Sequence, residues 1–425
     1  MDSSISTSIQ PPIAIDLFAG CGGLSLGLNK AGWRALFAIE RSADAFDTLK
    51  HNLIHKANEP HFIWPEWLAV KNWEINEFIT TYSEELHNLR GHIDLVAGGP
   101  PCQGFSMAGR RKEDDIRNKL VLSYLDVIQK VMPKIVFFEN VKGFTLPFQK
   151  AKAQSREITY ADEVRIRLET LGYMVGKQVV NFGDYGVAQR RARFILVALS
   201  KEYFGDNRSL VERFFKLLED QKVDFLQQKG LSVGTTLEEA ISDLRALHGK
   251  RRMSPRDHFE FGLYGKKEDS PYQKLMRIGI TTNDSIPDSH RFANHYPSTI
   301  AKFKEILRLT QSDRNLCLND EIKKRFRIKK HTIIPLCSCA KAPTITTLPD
   351  DYIHYEEPRI LTVREYARIQ SFPDNYEFLG KYTTGGKLRK QETPRYTQIG
   401  NAIPPLFAEQ AGLVLKEMLQ HGKHS

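Results

Sequence analysis

About the first 200 residues alternate short apolar runs with longer amphipathic segments, and this alternation constrains the fold more than any other feature. Apolar runs of roughly four to eight residues are typical of buried strands, whereas the longer segments have helical spacing. Strands that alternate with helices favour a mostly parallel sheet covered on both faces, so we predict a doubly wound α/β domain. The predicted strands are residues 13–19, 34–40, 93–99, 134–141, 175–182 and 193–199, and the predicted helices are residues 24–32, 43–53, 118–132 and 161–173.

The alternation ends after about residue 200. Charged runs and turn-rich pieces then predict a second, smaller and irregular domain, followed by helical stretches at 361–372 and 403–419. We therefore expect three parts, with bounds at 1–204, 205–390 and 391–425.

The composition is that of a globular protein, with 41% hydrophobic and 26% charged residues. No apolar run approaches the roughly 20 residues of a membrane helix, and the amino terminus lacks a signal-peptide pattern. The 61 basic residues outnumber the 51 acidic ones, and this net charge of +10 favours a polyanionic partner such as nucleic acid. We expect a cytoplasmic protein with no membrane partner.

Five cysteines are scattered along the chain, too few for a disulfide framework and compatible with a reducing compartment. Cys337 and Cys339 form a C-x-C pair, which would indicate zinc only with a second pair nearby. We expect no bound metal.

The stretch DLFAGCGGLSLGL, residues 16–28, places glycines where the first strand turns into the first helix. Glycine lets the backbone approach a ligand, and a helix N-terminus presents free N–H groups. A dinucleotide-binding turn would need a third glycine where Ser25 stands, so that pattern fails. An adenosine cofactor without a pyrophosphate needs only the turn and an acid after the next strand, where Glu40 lies. A plain glycine-rich turn is the alternative.

The stretch HIDLVAGGPPCQGFSM, residues 92–107, ends a strand with glycines, prolines and a cysteine. Open α/β sheets bind ligands at the carboxyl ends of their strands, and this turn lies at that edge. Pro100 and Pro101 restrict the backbone and hold Cys102 in one place. The charged stretch 109–120 beyond it is suited to a lid. We interpret Cys102 as a nucleophile, with a buried inert thiol as the alternative.

Two further stretches bring charge to the same edge. The strand at 134–141 ends in Glu139, and a carboxyl group in such a pocket tends to keep its proton near neutral pH. In QRRAR, residues 189–193, Arg191 and Arg193 are two apart on an extended segment and therefore point the same way.

Together these stretches resemble the DNA (cytosine-5) methyltransferase family. The matching motifs occur in the family's order from residue 13 to about 410, and the variable recognition region is the main part without a match. DLFAGCGG is similar to the cofactor motif, GGPPCQGFS to the nucleophile motif, ENV to the acid motif and QRRAR to the Q-x-R-x-R motif. TLEEAISDL (236–244) resembles the entry to the recognition region, and REYARIQSFPD (364–374) and QIGNAIPP (398–405) resemble the closing motifs.

The resemblance implies a Rossmann-like, S-adenosylmethionine-dependent methyltransferase and a covalent reaction. The Cys102 thiolate would attack carbon 6 of a cytosine flipped out of duplex DNA while Glu139 protonates ring N3. Carbon 5 would then accept the methyl group, leaving S-adenosyl-L-homocysteine, and loss of the carbon-5 proton would expel the cysteine. Arg193 would hold the base's O2, with Arg191 supporting the acid.

The resemblance also implies the cofactor-binding residues. Phe18 would lie against the adenine and Glu40 would bind the ribose. The family places an acid for the adenine amino group on its third strand, and the nearest candidate is Glu74. The other implied cofactor-binding residues are Ala19, Gly20, Gly22, Gly23, Leu24, Pro100 and Asn401.

For partners, the resemblance implies double-stranded DNA and a monomeric prokaryotic enzyme on the nucleoid, paired in function with a cognate restriction endonuclease. It further implies that 1–204 is the catalytic and cofactor-binding domain, that 205–390 is the target-recognition domain, and that 391–425 returns to the first domain. Residues 205–358 would read the target, with the basic run 323–331 either facing phosphates or merely solvated. Local patterns identify neither the recognised sequence nor the base-reading side chains.

Two alternatives remain. ENVKGF at 139–144 resembles tRNA cytosine-5 methyltransferases of the same fold, but their Cys-Phe-Thr tripeptide is missing from the recognition region. A catalytically dead DNA-binding regulator on the same scaffold is opposed by the intact Cys102, Glu139 and Arg193.

Overall fold

A computed structural model describes residues 10–56, 61–101, 118–146, 159–247, 251–253, 259–264, 270–280, 285–384 and 392–422. The strands of the described residues are β1 Ile13–Leu17, β2 Arg34–Ile39, β3 Leu95–Gly98, β4 Ile135–Val141, β5 Tyr173–Asn181, β6 Gln189–Arg190, β7 Ala192–Ser200, β8 Arg251–Met253, β9 Glu260–Gly262, β10 Ile334–Pro335, β11 Ala342–Pro343 and β12 Tyr352–Ile353. The α-helices are α1 Gly23–Lys30, α2 Ala43–Lys50, α3 Ile75–Thr81, α4 Ser83–Asn88, α5 Asn118–Val131, α6 Tyr160–Thr170, α7 Lys201–Phe204, α8 Ser209–Asp220, α9 Lys222–Gln228, α10 Leu237–Ile241, α11 Pro271–Met276, α12 Pro297–Leu309, α13 Asp320–Arg325, α14 Val363–Ile369, α15 Arg395–Asn401 and α16 Pro405–His421.

The main sheet has the strand order β2-β1-β3-β4-β7-β5. Its first four strands pair in parallel, and β7 runs antiparallel between β4 and β5. The predicted doubly wound, mostly parallel α/β fold is confirmed, and its strands begin and end within two residues of the predicted bounds. The carboxyl ends of β1, β3 and β4 therefore lie side by side, and this edge positions the candidate site.

Apolar cores lie on both faces of the sheet, because neighbouring residues of a strand point to opposite sides. Phe137 belongs to the core that includes Leu26 of α1 and Phe214 of α8, whereas Phe138 belongs to the core that includes Tyr124 of α5. Helices thus cover the sheet on both sides.

Helix α16 packs closely on α1. A Cβ built on Gly27 would lie 2.4 Å from the Cβ of Ala408, and one on Gly412 would lie 2.8 Å from the Cβ of Ala31. The indole Nε1 of Trp33 donates to the carbonyl of Gly412 at 2.8 Å. Small residues on both helices therefore bring the two backbones together beside the sheet.

Apolar residues after 205 are divided between two hydrophobic cores. Phe214 and Leu226, on α8 and α9, belong to the same core as α1 and α16. Farther along, Ile306, Leu318 and Ile353 contribute to a separate small core. The domain division at residue 205 remains a prediction.

A buried ion network joins α14 to residues that lie before it and after it in the chain. Arg368 is fully buried and contacts Asp243 at 3.0 Å and Asp374 at 2.6 Å. Tyr264 donates a further hydrogen bond to Asp374. Removing one partner of such a network leaves an uncompensated buried charge, which costs about 3–5 kcal/mol.

Candidate active site

The turn from β1 to α1 is built from residues that the sequence places in a glycine-rich stretch. Phe18 has φ 59°, Gly20 has φ 56° and Gly22 has φ 87°, so the backbone is left-handed at each of these positions. The amide of Ala19 donates to the carbonyl of Ile39 at 3.0 Å, which anchors the turn to the end of β2. At Gly22, a Cβ would lie 2.8 Å from the Tyr376 hydroxyl oxygen, so glycine is required there.

Helix α1 begins directly after this turn. Gly23 is its first residue, and Leu24 follows it as a buried residue. A Cβ on Gly23 would lie 2.4 Å from the carbonyl oxygen of Ile403, so the segment after α15 passes directly against the turn. The space beside Gly20 is different, since a Cβ built there meets no described heavy atom within 4 Å.

Glu40 follows β2 and holds the turn from its other side. Its Oε2 accepts from the Gly20 amide at 2.9 Å, and its Oε1 accepts from the Ser42 amide at 2.7 Å. Burial raises the pKa of Glu40, although these amides and Arg41 oppose the shift. The structure thus brings Glu40 and the glycine turn together.

The turn after β3 is crowded by its neighbours. A Cβ on Gly98 would lie 2.3 Å from the Leu17 carbonyl oxygen, and one on Gly99 would lie 2.9 Å from Glu139 Oε2. The buried Pro100 presents its carbonyl to Asn140, whose Nδ2 donates to it at 3.1 Å. The chain is therefore tied to β4 two residues before Cys102, which itself lies outside the described residues.

Glu139 and Arg193 form an ion pair at the ends of neighbouring strands. Arg193 Nε lies 3.1 Å from Glu139 Oε1, and each side chain is only 13% exposed. The register of β4 and β7 places Val141 opposite Arg193, which brings the two charges to the same edge. Burial raises the pKa of Glu139, while the charges of Arg193 and Arg191 oppose the rise.

Arg191 is 3% exposed and binds backbone carbonyls. It donates to the Gly400 carbonyl at 2.8 Å and to the Ile345 carbonyl at 3.3 Å. Its backbone amide donates to Asn181 Oδ1 at 2.9 Å. Arg191 therefore ties β6 and β7 to the segment after β11 and to α15, and it also lies close enough to Glu139 to affect the pKa of that carboxyl.

The model of the family of C-5 cytosine-specific DNA methylases matches residues 13–417, nearly the whole chain. The chain belongs to this family. It is a DNA cytosine-5 methyltransferase.

Relatives with similar sequences agree. The type II methyltransferase M.DdeI of Desulfomicrobium norvegicum is 32% identical over 413 residues, covering 93% of this chain and 86% of that protein. The type II methyltransferase M.XorII of Xanthomonas oryzae pv. oryzae is 30% identical over 425 residues, covering 94% of this chain and 84% of that protein.

A solved structure shows the same fold. It is a DNA modification methyltransferase encoded within a prophage of E. coli, with a TM-score of 0.61 at 21% identity. The alignment covers 96% of this chain and 99% of that one.

The prediction that Glu74 lies on the third strand is wrong. Glu74 does not lie on a strand but is the N-cap of α3, where its side chain accepts from the amides of Asn76 and Glu77. The first amides of a helix lack partners within the helix, and an acidic side chain satisfies them. Its backbone is nevertheless next to the site, since the amide of Trp73 donates to the carbonyl of Glu40 at 2.8 Å.

Asn401 is exposed at the last position of α15. Its neighbour Gly400 is tightly packed, because a Cβ there would lie 2.5 Å from the Thr346 carbonyl oxygen. The structure brings the backbone at Gly400 to Arg191.

Some residues of the site escape sequence reasoning. Gln189 donates to Gln370 Oε1 at 2.7 Å and accepts from the Ile345 amide at 3.2 Å, so it links β6 to α14 and to the segment that Arg191 binds. Asp16 accepts from the Ser25 hydroxyl at 2.5 Å, and burial raises its pKa to about 7. Both residues lie inside motifs, but the motifs do not show which residues they bind. Gln370 lies 181 positions from Gln189 in the chain, and the Asp16–Ser25 contact forms only when α1 packs beside β1.

Among the residues that the structure describes, no cluster of three or more His, Cys, Asp or Glu side chains is arranged to hold a metal ion. In the same ranges, no helix combines the length and apolar character of a membrane span.

Proposed function

We propose that this methyltransferase joins Cys102 to carbon 6 of a flipped cytosine in duplex DNA and places a methyl group on carbon 5. The observation that carries the proposal is the Glu139–Arg193 pair, whose atoms lie 3.1 Å apart at the carboxyl edge of the sheet. Burial raises the pKa of Glu139, and a raised pKa suits this carboxyl group to donate a proton to the base. The turn that leads to Cys102 is bonded to the residue next to Glu139.

The proposed chemistry uses each group at a stated atom. The Cys102 thiolate forms a bond to carbon 6, and Glu139 gives a proton to ring N3, so that carbon 5 gains the electron density of an enamine. Arg193 binds the base's O2, and Arg191 keeps β6 and β7 in place for this contact. After methyl transfer, removal of the carbon-5 proton restores the double bond and expels Cys102.

The residues around the β1–α1 turn fit S-adenosylmethionine. The space beside Gly20 is open, the Glu40 carboxylate accepts from the Gly20 amide, and the buried Asp16 Oδ1 has no hydrogen-bond partner among the described residues. We assign Phe18 to the adenine, Glu40 to the ribose, and the turn with Pro100 and Asn401 to the remainder. When bound, this cofactor supplies the electrophilic methyl group.

We propose a monomer that recognises a specific site on double-stranded DNA, with residues 205–390 reading the sequence. The net charge of +10 supports a polyanionic partner. The relatives M.DdeI and M.XorII are type II methyltransferases, which supports pairing with a restriction endonuclease.

Covalent trapping tests the mechanism. Duplex DNA with 5-fluorocytosine at the target should accumulate a denaturation-resistant adduct with the wild-type protein, because fluorine does not leave as a proton does. Cys102→Ser should give no adduct and no methyl transfer but should still bind the cofactor. Cys317→Ser, a change at an exposed cysteine, is the matched control and should trap normally. An active enzyme that forms no adduct would refute the covalent route.

The tRNA alternative has its own test. The stretch ENVKGF favours it, so labelled cofactor should be offered with duplex DNA and with tRNA in parallel. Label in DNA alone supports the proposal, and label in tRNA alone rejects it.

A further inference from the structure

Two thiols outside the active site lie in contact. The Sγ atoms of Cys337 and Cys339 are 3.0 Å apart. Cys339 is exposed and Cys337 is partly exposed, so reagents in solution reach the pair. A disulfide bond is about 2.05 Å long, and the two sulfurs need to approach by only about 1 Å to form one.

The pair lies in a turn with defined hydrogen bonds. The amide of Cys337 donates to Asn315 Oδ1 at 3.0 Å. On the other side, the carbonyls of Ser338 and Ala340 accept from the amides of Glu238 and Leu237, each at 3.0 Å. The turn therefore caps the start of α10, and a change in its shape alters those contacts.

The same turn leads into the active site. Strand β11, residues Ala342–Pro343, follows at once and pairs with β6. The carbonyl of Ile345 then accepts from Arg191 at 3.3 Å. A short stretch of chain thus connects the two thiols to the segment that holds Arg191.

We propose that Cys337 and Cys339 form a thiol–disulfide exchange site for a small-molecule disulfide, and that closing their disulfide slows methyl transfer. The thiolate of Cys339 attacks one sulfur of the oxidant and expels one thiolate. Cys337 then attacks Cys339 Sγ and expels the second. Two protein thiols are oxidised, the oxidant is reduced to two thiols, and the two protons appear on those products.

The environment sets the rate of this exchange. The neighbouring Cys337 raises the pKa of Cys339, so less thiolate is present at neutral pH and exchange accelerates as the pH is raised. The thiol chemistry does not depend on the covalent mechanism proposed for Cys102, and the two can fail separately.

Peptide mapping tests the exchange. The folded full-length protein is incubated with oxidised glutathione, its free thiols are alkylated, and it is digested with trypsin. We expect peptide 331–341, which contains both cysteines, to lose two hydrogen atoms and to escape alkylation. Peptide 315–323, which contains Cys317, is the internal reference for an exposed single thiol. Alkylation of both cysteines, or a mixed disulfide that persists in wild type, overturns the assignment.

A variant tests the order of attack. In Cys337→Ser the resolving thiol is gone, so glutathione should remain attached to Cys339. An unmodified Cys339 in this variant, under conditions that oxidise wild type, overturns the assigned attacking thiol.

Activity tests the coupling. Wild type and the double variant Cys337→Ser/Cys339→Ser are compared before and after oxidation, since both retain Cys102. We expect oxidation to slow wild type on the order of tenfold more than the double variant, because small displacements near reacting groups are costly, and a phosphine reductant should reverse the difference. Equal responses of the two proteins, with the disulfide formed, overturn the coupling.

Discussion

Arg193 Nε lies 3.1 Å from Glu139 Oε1, and the two residues belong to adjacent antiparallel strands of the sheet. The register of β4 and β7 delivers the acid and the cation to one edge, while β3 delivers the turn that precedes Cys102. Burial nevertheless raises the pKa of Glu139 against the charges of both nearby arginines. A carboxyl group with a raised pKa is thus placed beside a guanidinium that is able to bind a carbonyl oxygen.

Glu139→Gln should reduce methyl transfer by about 10²- to 10⁴-fold, the usual contribution of a general acid, while cofactor binding persists. The amide keeps the size and a hydrogen bond to Arg193 but cannot donate a titratable proton. Turnover is measured with a labelled methyl donor. Glu356→Gln, which removes an exposed partner of Arg245, is the matched control and should be nearly neutral.

The pH profile gives a second check on Glu139. It donates only when protonated, so turnover should fall as the pH rises through its raised pKa. The Gln variant should lack this decline. Parallel profiles for the two proteins would contradict the role of Glu139 as the acid.

Arg191→Ala should unfold more easily than wild type. The change leaves the carbonyls of Gly400 and Ile345 without their donor, at about 1–3 kcal/mol for each group that stays unsatisfied. Urea denaturation measures the loss. Arg190→Ala is the neighbouring control, because Arg190 is exposed and such changes are usually within about 0.5 kcal/mol.

Gly27→Ala should separate α1 from α16. The new methyl group would lie 2.4 Å from Ala408 Cβ and 2.6 Å from the Pro405 carbonyl oxygen, so a helix must move. Overpacking of this kind costs about 1–3 kcal/mol. Gly234→Ala has its nearest neighbour at 3.8 Å and should change the unfolding free energy little. Equal effects of the two changes would contradict the close packing.

His290 should make stability depend on pH. It is fully buried with its Nδ1 2.9 Å from Thr362 Oγ1, and burial, helped by nearby arginines, lowers its pKa from 6.5 to about 3. The folded protein therefore favours neutral imidazole. Its stabilising contribution is full above about pH 6.5 and is lost as the pH falls toward 3, at about 1.4 kcal/mol per pH unit.

The measurement is the unfolding free energy at pH 6.5 and pH 5. Wild type should lose about 2 kcal/mol more than His290→Gln over this interval. His331→Gln changes an exposed histidine and should follow wild type. If His290→Gln follows wild type as well, His290 does not carry the effect.

Much of the catalytic half was predictable because its signals are local. Strand β4 begins with four consecutive apolar residues, and the turn before α1 is marked by glycines that the structure holds at positive φ. Glu139 and Arg193 lie at the predicted edge of the sheet, whereas their catalytic roles and that of Cys102 remain predictions.

Other features depend on contacts that no short window of sequence contains. The antiparallel direction of β7 follows from how the chain returns to the sheet. Arg368 and Asp243 are 125 residues apart in the chain, so nothing local indicates that they pair. The prediction that Glu74 lies on a strand is wrong because the same local pattern, an acidic residue followed by an apolar one, occurs both at strand ends and at helix N-caps.

The contact between α1 and α16 has a consequence for biosynthesis. The Trp33 indole binds the carbonyl of Gly412, a residue 379 positions later. During translation the apolar side of α1 therefore emerges long before its cover exists. This surface stays open to non-native contacts until Gly412 and its neighbours have been translated, so we expect chaperones that shield early helices to assist folding of the chain.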